Sequence, residues 1–318
     1  MDGSKNSSNA GIRSPRVRRR STRHSPLTLL SAAARCLGIL FCCLFLLGSV
    51  ARAAEPGGVE FPALKQFEGK PVTLSGWLFR PDGAAPHPAL VLMHGCGGMY
   101  SSQGDLTPSY RRWAELLQDA GYVALLVDSF TPRGEWSICA QQQRTILQSR
   151  ERVEDAYAAL QWLGTQPDIA QERIGLLGWS NGASGTLYAM RPSSRLGTGF
   201  RAAVAFYPGC AALSRAKTPY RPYAPLLILT GESDDWTPAA PCVTLAEIAK
   251  KQGASLEIVT YPGAYHSFDR INSPVRYRPN VRNPNQPGGK GATVGEHPQA
   301  REDAVRRTLE FLARTLKD

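Results

Sequence analysis

Short apolar runs alternate along the chain with segments whose apolar residues recur at helical spacing. The runs 89–94 and 122–127 are uninterrupted, which is typical of strands buried on both faces of a sheet. Residues 72–79 alternate apolar and polar side chains, which predicts a strand with one solvated face. Further strands are predicted at 59–67, 173–179, 201–207, 225–230 and 255–261.

The segments between these runs predict helices. Residues 110–120 place Tyr110, Trp113 and Leu117 on one face, and Gly121 closes the segment. The same spacing predicts helices near 153–163, 183–190, 239–251 and 300–316. Because strands alternate with helices, the sequence predicts an α/β protein whose mostly parallel sheet is covered on both faces.

One domain accounts for the pattern after the leading segment. We find no internal repeat and no second hydrophobic pattern, so residues 54–318 are predicted to form a single domain. Residues 269–299 break the alternation, because they are rich in Pro, Asn, Gly and Arg and have no periodicity. A long irregular loop is expected there, and such loops are either functional or disordered.

The first 53 residues have the pattern of an export signal. A basic region over 13–35 precedes an apolar run over 36–50, and Ala51-Arg52-Ala53 follows. The apolar run is short for a bilayer span, so we predict a secretory signal cut after Ala53, with an uncleaved membrane anchor as the alternative.

The distribution of charge limits the class of partner. The leading segment carries +8 of the formal net charge of +11, which leaves +3 for the rest of the chain. No basic patch with interleaved aromatic residues occurs in that remainder. We therefore expect no nucleic-acid partner, and membrane contact only if the leader is retained.

Removal of the leader leaves the cysteines Cys96, Cys139, Cys210 and Cys242. An even number of cysteines in an exported chain favours disulfides. On spacing alone, all three pairings are open.

The first candidate for a catalytic residue lies in Gly178-Trp179-Ser180-Asn181-Gly182, between a predicted strand and a predicted helix. This is the G-x-S-x-G pattern of a nucleophile elbow, in which a sharp turn holds a serine hydroxyl clear of the sheet. A serine hydroxyl is a weak nucleophile and needs a histidine within reach. The alternative is an ordinary strand-to-helix turn with an exposed serine.

The partners of Ser180 are expected later in the chain, in the order acid and then histidine. Asp234 follows the predicted strand 225–230, and His266 follows the strand 255–261. His266 would take the proton from Ser180, and Asp234 would orient the imidazole. Asp234 has an alternative role as a cap of the next helix, and Asp235 competes for the role of the acid.

Two backbone N–H groups are expected to bind the oxyanion of the reaction. One is that of Asn181, at the start of the helix after the elbow, and the other belongs to Cys96 in the glycine-rich loop 94–98.

The other histidines have simpler interpretations. His24 leaves with the signal, His87 and His297 lie in polar loops, and His94 is expected to support the glycine-rich loop. No cluster of His, Cys and Asp has metal-ligand spacing, so we expect no metal and no cofactor.

In its elbow, in the loop ending at Asp234 and in the segment 261–266, the chain resembles the dienelactone hydrolase family of the α/β-hydrolase fold. The resemblance covers most of the chain after the leader and implies a central eight-stranded sheet. It also implies Ser180 as nucleophile, Asp234 as acid and His266 as base. The founding lactonases of that family carry cysteine at the elbow, so Ser180 shifts the expectation toward a carboxylic ester or related acyl substrate.

The resemblance also implies a pairing of the cysteines. In that topology the third and fourth strands are neighbours, and so are the sixth and seventh. The cysteines that follow these strands are then expected to form Cys96–Cys139 and Cys210–Cys242, at the edge of the sheet that holds the active site.

Arginines flank the expected site in two loops. Arg133 and Arg276 are the first candidates to bind a substrate carboxylate, and Arg270, Arg278 and Arg282 lie in the same loops. The alternative is a solvated basic loop.

The sequence thus predicts an exported serine hydrolase, periplasmic or secreted, that cleaves a small ester or lactone through an acyl-enzyme without a cofactor. A peptidase of the same fold is the nearest alternative. A non-catalytic binding protein that keeps the hydrolase scaffold is the alternative from another class.

Overall fold

Residues 54–317 are described by a computed structural model, and their strands form one large sheet and one hairpin. The expected signal segment lies outside the described residues. The strands of the large sheet are β1 (Ala54–Pro62), β2 (Thr73–Arg80), β3 (His87–Met93), β4 (Val123–Asp128), β5 (Ile169–Trp179), β6 (Ala203–Phe206), β7 (Leu226–Gly231) and β8 (Leu256–Tyr261).

The strand order is β1-β2-β4-β3-β5-β6-β7-β8. β2 pairs antiparallel with both β1 and β4, and all the other neighbours are parallel. The predicted fold class, a mostly parallel eight-stranded sheet with helices on both faces, is confirmed. β1 lies earlier than the predicted strand 59–67, because the chain turns back after Pro62 and Phe67 pairs with Lys70 across a tight turn.

Six α-helices accompany the sheet within the described residues. They are α1 (Pro108–Asp119), α2 (Glu151–Gly164), α3 (Asn181–Ala189), α4 (Ala211–Ser214), α5 (Ala239–Lys251) and α6 (Pro298–Leu316). None of the helices within residues 54–317 is both long and apolar enough to cross a membrane.

Two apolar layers hold these helices against the sheet. Along β3, Val91 and Met93 face the layer that contains α2, α3 and α5, whereas Leu90 and Leu92 face the layer that contains α1 and α6. Because β3 is buried on both faces, its sequence is continuously apolar rather than alternating. The carboxyl ends of the parallel strands therefore lie between two anchored layers of helices.

Residues 269–299 differ from the expected irregular loop. They contain an antiparallel hairpin of β9 (Arg276–Arg282) and β10 (Lys290–Val294). The pattern did not predict strands here because five of the seven residues of β9 are exposed and three of the seven are arginines. The buried apolar side chains of the two strands are those of Val281, Ala292 and Val294, which pack in a small apolar cluster with Trp236 and the Cys96–Cys139 pair.

Both expected disulfides are present, Cys96–Cys139 and Cys210–Cys242. The first joins the loop after β3 to the long excursion after β4. The second joins the loop after β6 to α5. Both lie at the carboxyl ends of the central strands, and their presence indicates an oxidising compartment.

Candidate active site

The elbow places Ser180 between the end of β5 and the start of α3. Ser180 has φ 53° and ψ −112°, a conformation that non-glycine residues rarely adopt. A Cβ on Gly182 would lie 2.0 Å from the carbonyl oxygen of Met93, and one on Gly178 would lie 2.6 Å from the backbone of Gly182. The sharp turn therefore requires glycine at both flanking positions.

The structure brings Ser180, His266 and Asp234 into one hydrogen-bonded chain. His266 Nε2 lies 2.9 Å from Ser180 Oγ, and His266 Nδ1 lies 2.8 Å from Asp234 Oδ2. Asp234 and His266 are buried, with 3% and 1% of their surface exposed. In this geometry the imidazole can accept the serine proton at Nε2 while Nδ1–H donates to the carboxylate.

Asp234 contacts both His266 and the turn before α5, but it does not cap that helix, whose N-cap is Pro238 without a side-chain hydrogen bond. Its Oδ1 accepts hydrogen bonds from the backbone N–H groups of Trp236 and Thr237, at 2.9 and 2.8 Å. Its Oδ2 faces His266 and lies 2.9 Å from the Thr237 hydroxyl. The carboxylate thus closes the turn before α5 with one oxygen and contacts the imidazole with the other.

Asp235 points away from the histidine. Its two carboxylate oxygens accept hydrogen bonds from the N–H and the hydroxyl of Thr293 in β10, at 2.8 and 2.9 Å. Asp235 therefore connects the loop after β7 to the hairpin beside the site. Val294 of the same strand forms a bridge to His266, and Gly295 N–H donates to the His266 carbonyl.

Aromatic rings pack around the imidazole of His266. Its ring centroid lies 4.6 Å from that of Tyr207 and 4.8 Å from that of Trp236. The Tyr207 hydroxyl donates to buried Asp269, which also accepts the indole N–H groups of Trp113 and Trp179. Sequence reasoning missed Asp269, because it lies in a stretch without periodicity and its partners are far apart in the chain.

The expected donors of the oxyanion hole lie beside Ser180. Cys96 lines both cavities that open onto Ser180, and Asn181 is the first residue of α3. Within the described part of the chain, neither backbone N–H group has a hydrogen-bond acceptor. The preceding Gly95 is fixed by its own N–H, which donates to the hydroxyl of Tyr110 at 2.8 Å.

His94 is fully buried beneath this loop. Its Nε2 accepts hydrogen bonds from Ser129 N–H and from Arg152 Nη1, so Nδ1 carries the proton that is donated to the Gly95 carbonyl. Burial and the charge of Arg152 hold the pKa of His94 well below its ordinary value. Arg152 Nη2 also donates to the His94 carbonyl at 2.5 Å. A neutral His94 therefore supports the loop from below, as the sequence suggested.

The structure places Arg133 away from the serine. Its guanidinium pairs with Asp155 through two hydrogen bonds of 2.9 and 2.7 Å, and its side chain is 2% exposed. The expectation that Arg133 binds a substrate carboxylate is therefore wrong, because its charge is already neutralised in the interior.

Other arginines do face the site, in two groups. Arg270, Arg276 and Arg278 line a small cavity of about 40 Å³ together with Ser180 and His266. Arg144, Arg215 and Arg282 line a cleft of about 450 Å³ that also opens onto Ser180. Arg144 was missed from the sequence because it lies in the long excursion after β4, at no recognisable motif.

Within residues 54–317, no group of three or more His, Cys, Asp or Glu side chains is arranged to hold a metal ion.

The strand order of the mostly parallel eight-stranded sheet, with helices on both faces, is that of the α/β-hydrolase fold. A sequence profile of the dienelactone hydrolase family matches residues 74–316, and the chain belongs to this family. It is accordingly a hydrolase.

Known proteins resemble the chain in sequence and in structure. A Bradyrhizobium protein named probable 2-oxo-3-(5-oxofuran-2-ylidene)propanoate lactonase is 25% identical over 207 residues, which is 60% of this chain and 77% of that protein. The crystal structure of a dienelactone hydrolase from Anabaena variabilis has a TM-score of 0.57 at 23% identity, over 83% of this chain and all of that chain.

The fold also resembles that of a peptidase. An acylaminoacyl peptidase from Pyrococcus horikoshii has a TM-score of 0.60 at 18% identity, over 84% of this chain and 42% of that chain. At these identities the two structures show the shared fold alone.

Proposed function

We propose that the protein is an exported serine hydrolase that cleaves a small carboxylic ester or lactone through an acyl-enzyme on Ser180. The observation that supports this most is the chain of contacts from Ser180 Oγ through His266 to Asp234, with 2.9 and 2.8 Å between the heavy atoms. These separations are within the range in which a histidine can act as a general base.

In the first half of the reaction, His266 Nε2 takes the hydroxyl proton while Ser180 Oγ attacks the carbonyl carbon. The imidazolium that forms is stabilised by Asp234 through Nδ1–H, and the same histidine then gives its proton to the leaving oxygen. The second half repeats these steps with water as nucleophile, which releases the acid and restores Ser180.

The negative oxygen of each tetrahedral intermediate is bound by the backbone N–H groups of Cys96 and Asn181. Asn181 contributes from the first turn of α3, where the helix dipole also favours a negative charge. Each well-placed donor of this kind is worth about 10²–10³ in kcat.

A peptidase is the second candidate, and the peptidase likeness in the fold is what favours it. The family match favours an ester or lactone over a peptide, and the small volume of the cavity that Ser180 and His266 line together, about 40 Å³, supports a small substrate.

The disulfides and the leading segment both support the proposed export. The Cys96–Cys139 and Cys210–Cys242 pairs are typical of an oxidising compartment, and the basic and apolar leader is of the kind that directs a chain there. We assign the protein to the periplasm or to the secreted fraction.

Labelling with a fluorophosphonate tests the nucleophile. A single adduct is expected on the peptide that contains Ser180, and it is lost in Ser180→Ala and strongly reduced in His266→Ala. Ser184→Ala is the matched control, because Ser184 also lines the large cleft and its hydroxyl contacts the Ser180 carbonyl. An adduct on Ser184, or no adduct in the folded protein, would contradict the proposal.

A further inference from the structure

His266 lies between two aromatic rings as well as between Ser180 and Asp234. The ring of Tyr207 is centred 4.6 Å from the imidazole at an angle of 59°, and that of Trp236 is centred 4.8 Å away at 49°. Both separations are within the distance of about 6 Å at which an aromatic ring attracts a cation through its quadrupole. In the proposed reaction the imidazole becomes a cation when it takes the serine proton, so these rings lie where positive charge develops.

Tyr207 differs from Trp236 in what its polar end contacts. The Trp236 indole donates to the neutral carbonyl of Arg282 at 2.9 Å, whereas the Tyr207 hydroxyl donates to a carboxylate oxygen of Asp269 at 2.7 Å. A hydrogen bond to an ionised acceptor is about twice as strong as one between neutral groups, and it draws the hydroxyl proton toward the carboxylate. Electron density is thereby left on the phenol oxygen and its ring, which makes the face of the ring a better partner for a cation.

Asp269 is surrounded by hydrogen-bond donors. It is 6% exposed, and it accepts the Tyr207 hydroxyl on Oδ1 and the indole N–H groups of Trp113 and Trp179 on Oδ2, at 2.8 and 3.0 Å. Three donors on one carboxyl group favour its ionised form. Burial, and then the charge of Asp269, raise the pKa of Tyr207 well above its ordinary value, so the phenol keeps its proton throughout the working pH range.

The backbone of Tyr207 is strained and fixed. Tyr207 has φ 41°, and non-glycine residues held in this region cluster at functional sites. Its N–H donates to the Leu229 carbonyl at 2.7 Å, and its carbonyl accepts the Thr237 hydroxyl at 3.0 Å. The Thr237 hydroxyl also lies 2.9 Å from Asp234 Oδ2 and 3.0 Å from His266 Nδ1, so one group connects the backbone of Tyr207 to the acid and the histidine.

We propose that Asp269 and Tyr207 are positioning residues for His266: the Asp269 carboxylate polarises the Tyr207 ring, and this ring stabilises the imidazolium that forms during acyl transfer. A second buried carboxylate thus acts on His266 through an aromatic ring, in addition to Asp234, which acts on it at Nδ1. This inference rests on the proposed role of His266 as the base. It predicts that the basicity of the imidazole depends on the Tyr207 hydroxyl.

Other charged and titratable groups face His266 as well. Asp234 contacts it directly, and the remaining groups line the small cavity that it shares with Ser180, namely Tyr110 of α1, Arg270, Arg276 and Arg278. Asp234 favours a positive charge on the imidazole and the arginines oppose it. The contribution of Tyr207 is therefore measured by removing its hydroxyl while all these groups are kept.

Tyr207→Phe removes the hydroxyl and keeps the ring. In Ser180→Ala, which keeps the imidazole and prevents acylation, NMR titration of the His266 ring should have its midpoint about 0.3–1 pH unit lower when Tyr207→Phe is added. Asp269→Asn in the same background should lower the midpoint too, because a neutral amide polarises the ring less. If Asp269→Asn does not fold, Tyr207→Phe decides alone. An unchanged or higher midpoint in Tyr207→Phe would overturn the proposal.

Tyr261→Phe is the matched control. The Tyr261 hydroxyl also donates to a carboxylate, Asp303 Oδ2 at 3.1 Å, and its ring packs on Phe268 with 5.1 Å between the centroids. This variant removes the same kind of bond from a ring that does not pack on the imidazole, so the midpoint should stay unchanged. A decrease as large as that in Tyr207→Phe would contradict a specific role of Tyr207.

Trp113→Phe separates the effect from a general loosening of the cluster around Asp269. It removes one donor from Asp269 and leaves the Tyr207 hydroxyl in place. The midpoint should not decrease in this variant. A decrease as large as that in Tyr207→Phe would show that any disturbance of the cluster has this effect, and it would overturn the proposal.

Kinetics connect the titration to the reaction. With Ser180 intact, Tyr207→Phe should move the acid limb of kcat/KM to lower pH by the same amount and reduce kcat on the plateau by about two- to tenfold. A fall in kcat without movement of the acid limb would indicate a structural role alone and contradict the inference.

The NMR titration does not depend on turnover, so it separates this inference from the proposed reaction. A lower midpoint in Tyr207→Phe, together with a wild type that forms no acyl-enzyme on Ser180, would refute the reaction and keep the effect of Tyr207 on the imidazole. An acyl-enzyme on Ser180 together with an unchanged midpoint would refute the role of Tyr207 and Asp269 alone.

Discussion

Asp234 and Asp235 are adjacent in the chain but contact different elements. Asp234 Oδ2 lies 2.8 Å from His266 Nδ1, whereas Asp235 binds Thr293 of β10 through both oxygens. Asp234 is therefore the carboxylate that we propose acts in the reaction, and Asp235 connects to the hairpin.

Substitution of each aspartate by asparagine tests this division. Asp234→Asn presents an amide to His266 Nδ1 and favours the wrong tautomer, so kcat should fall by about 10³–10⁴-fold. Asp235→Asn weakens the bonds to Thr293 and should lower the free energy of unfolding by about 1–3 kcal/mol, with a far smaller effect on kcat. Steady-state kinetics and urea unfolding of both variants measure the two effects. A larger loss of kcat in Asp235→Asn would reverse the assignment.

His94 gives a pH dependence to stability. The folded state binds fewer protons than the unfolded state below about pH 6.5, because burial and Arg152 lower the pKa of His94 in the fold. The free energy of unfolding should therefore fall as pH decreases from about 7 to 5, with a contribution from His94 of up to about 1.4 kcal/mol per pH unit.

His94→Gln should make this dependence shallower in urea unfolding series, and His87→Gln, outside the buried network, is the control. An unchanged dependence in His94→Gln would show that another group causes it.

At the scale of elements, the sequence predicted the parallel sheet and missed the hairpin for a physical reason. Strands β3 and β4 are buried on both faces, and burial selects the continuous apolar runs that a pattern can detect. The hairpin is held by Asp235–Thr293, by Asn283 Nδ2 to the Asp235 carbonyl and by the bridge at His266, contacts that connect distant parts of the chain. Such contacts leave no periodic signal.

The same reasoning explains which site residues could be predicted. Ser180 and His266 follow strands that the apolar pattern locates, and the elbow fixes the position of Asn181. Arg144 and Asp269 lie in irregular segments, and only the folded chain brings them to the site. Arg133 was assigned wrongly because Asp155, its partner, lies on α2 and far along the sequence.

The two disulfides close loops of similar length, 43 and 32 residues, but only one of them includes a proposed oxyanion donor. Replacing either pair by alanine should lower the free energy of unfolding by about 2–4 kcal/mol. Only the loss of Cys96–Cys139 should also reduce kcat, by up to about a hundredfold, since Cys96 provides a proposed oxyanion donor and Cys139 contacts Arg282. Urea unfolding and kcat with p-nitrophenyl acetate measure both effects. Equal losses of kcat in the two double variants would contradict the role of the Cys96 N–H.

At the scale of the whole molecule, the positive charge is distributed unevenly along the chain. Most of the formal charge of +11 belongs to the first 53 residues, so the rest of the chain is only weakly basic at +3. Arginines line the two cavities that open onto Ser180, so positive charge is concentrated near this residue. We therefore expect small anions to be attracted to the cavities at Ser180 more than to the rest of the chain.

Export predicts a defined mature chain. When the full-length protein is expressed with a functional secretion system, mass spectrometry of the soluble exported fraction should find an N-terminus at Ala54 and no free thiol among the four remaining cysteines. Full-length protein retained in the membrane fraction would support the uncleaved anchor instead.

The formation of an acyl-enzyme on Ser180 is the central claim, and pre-steady-state hydrolysis of a p-nitrophenyl ester tests it most directly. We expect a burst of p-nitrophenolate close to one per enzyme molecule when deacylation limits the rate, with the acyl mass on the peptide that contains Ser180 after acid quenching. Turnover with no acyl mass on that peptide under any quenching time, or undiminished turnover in Ser180→Ala, would contradict it.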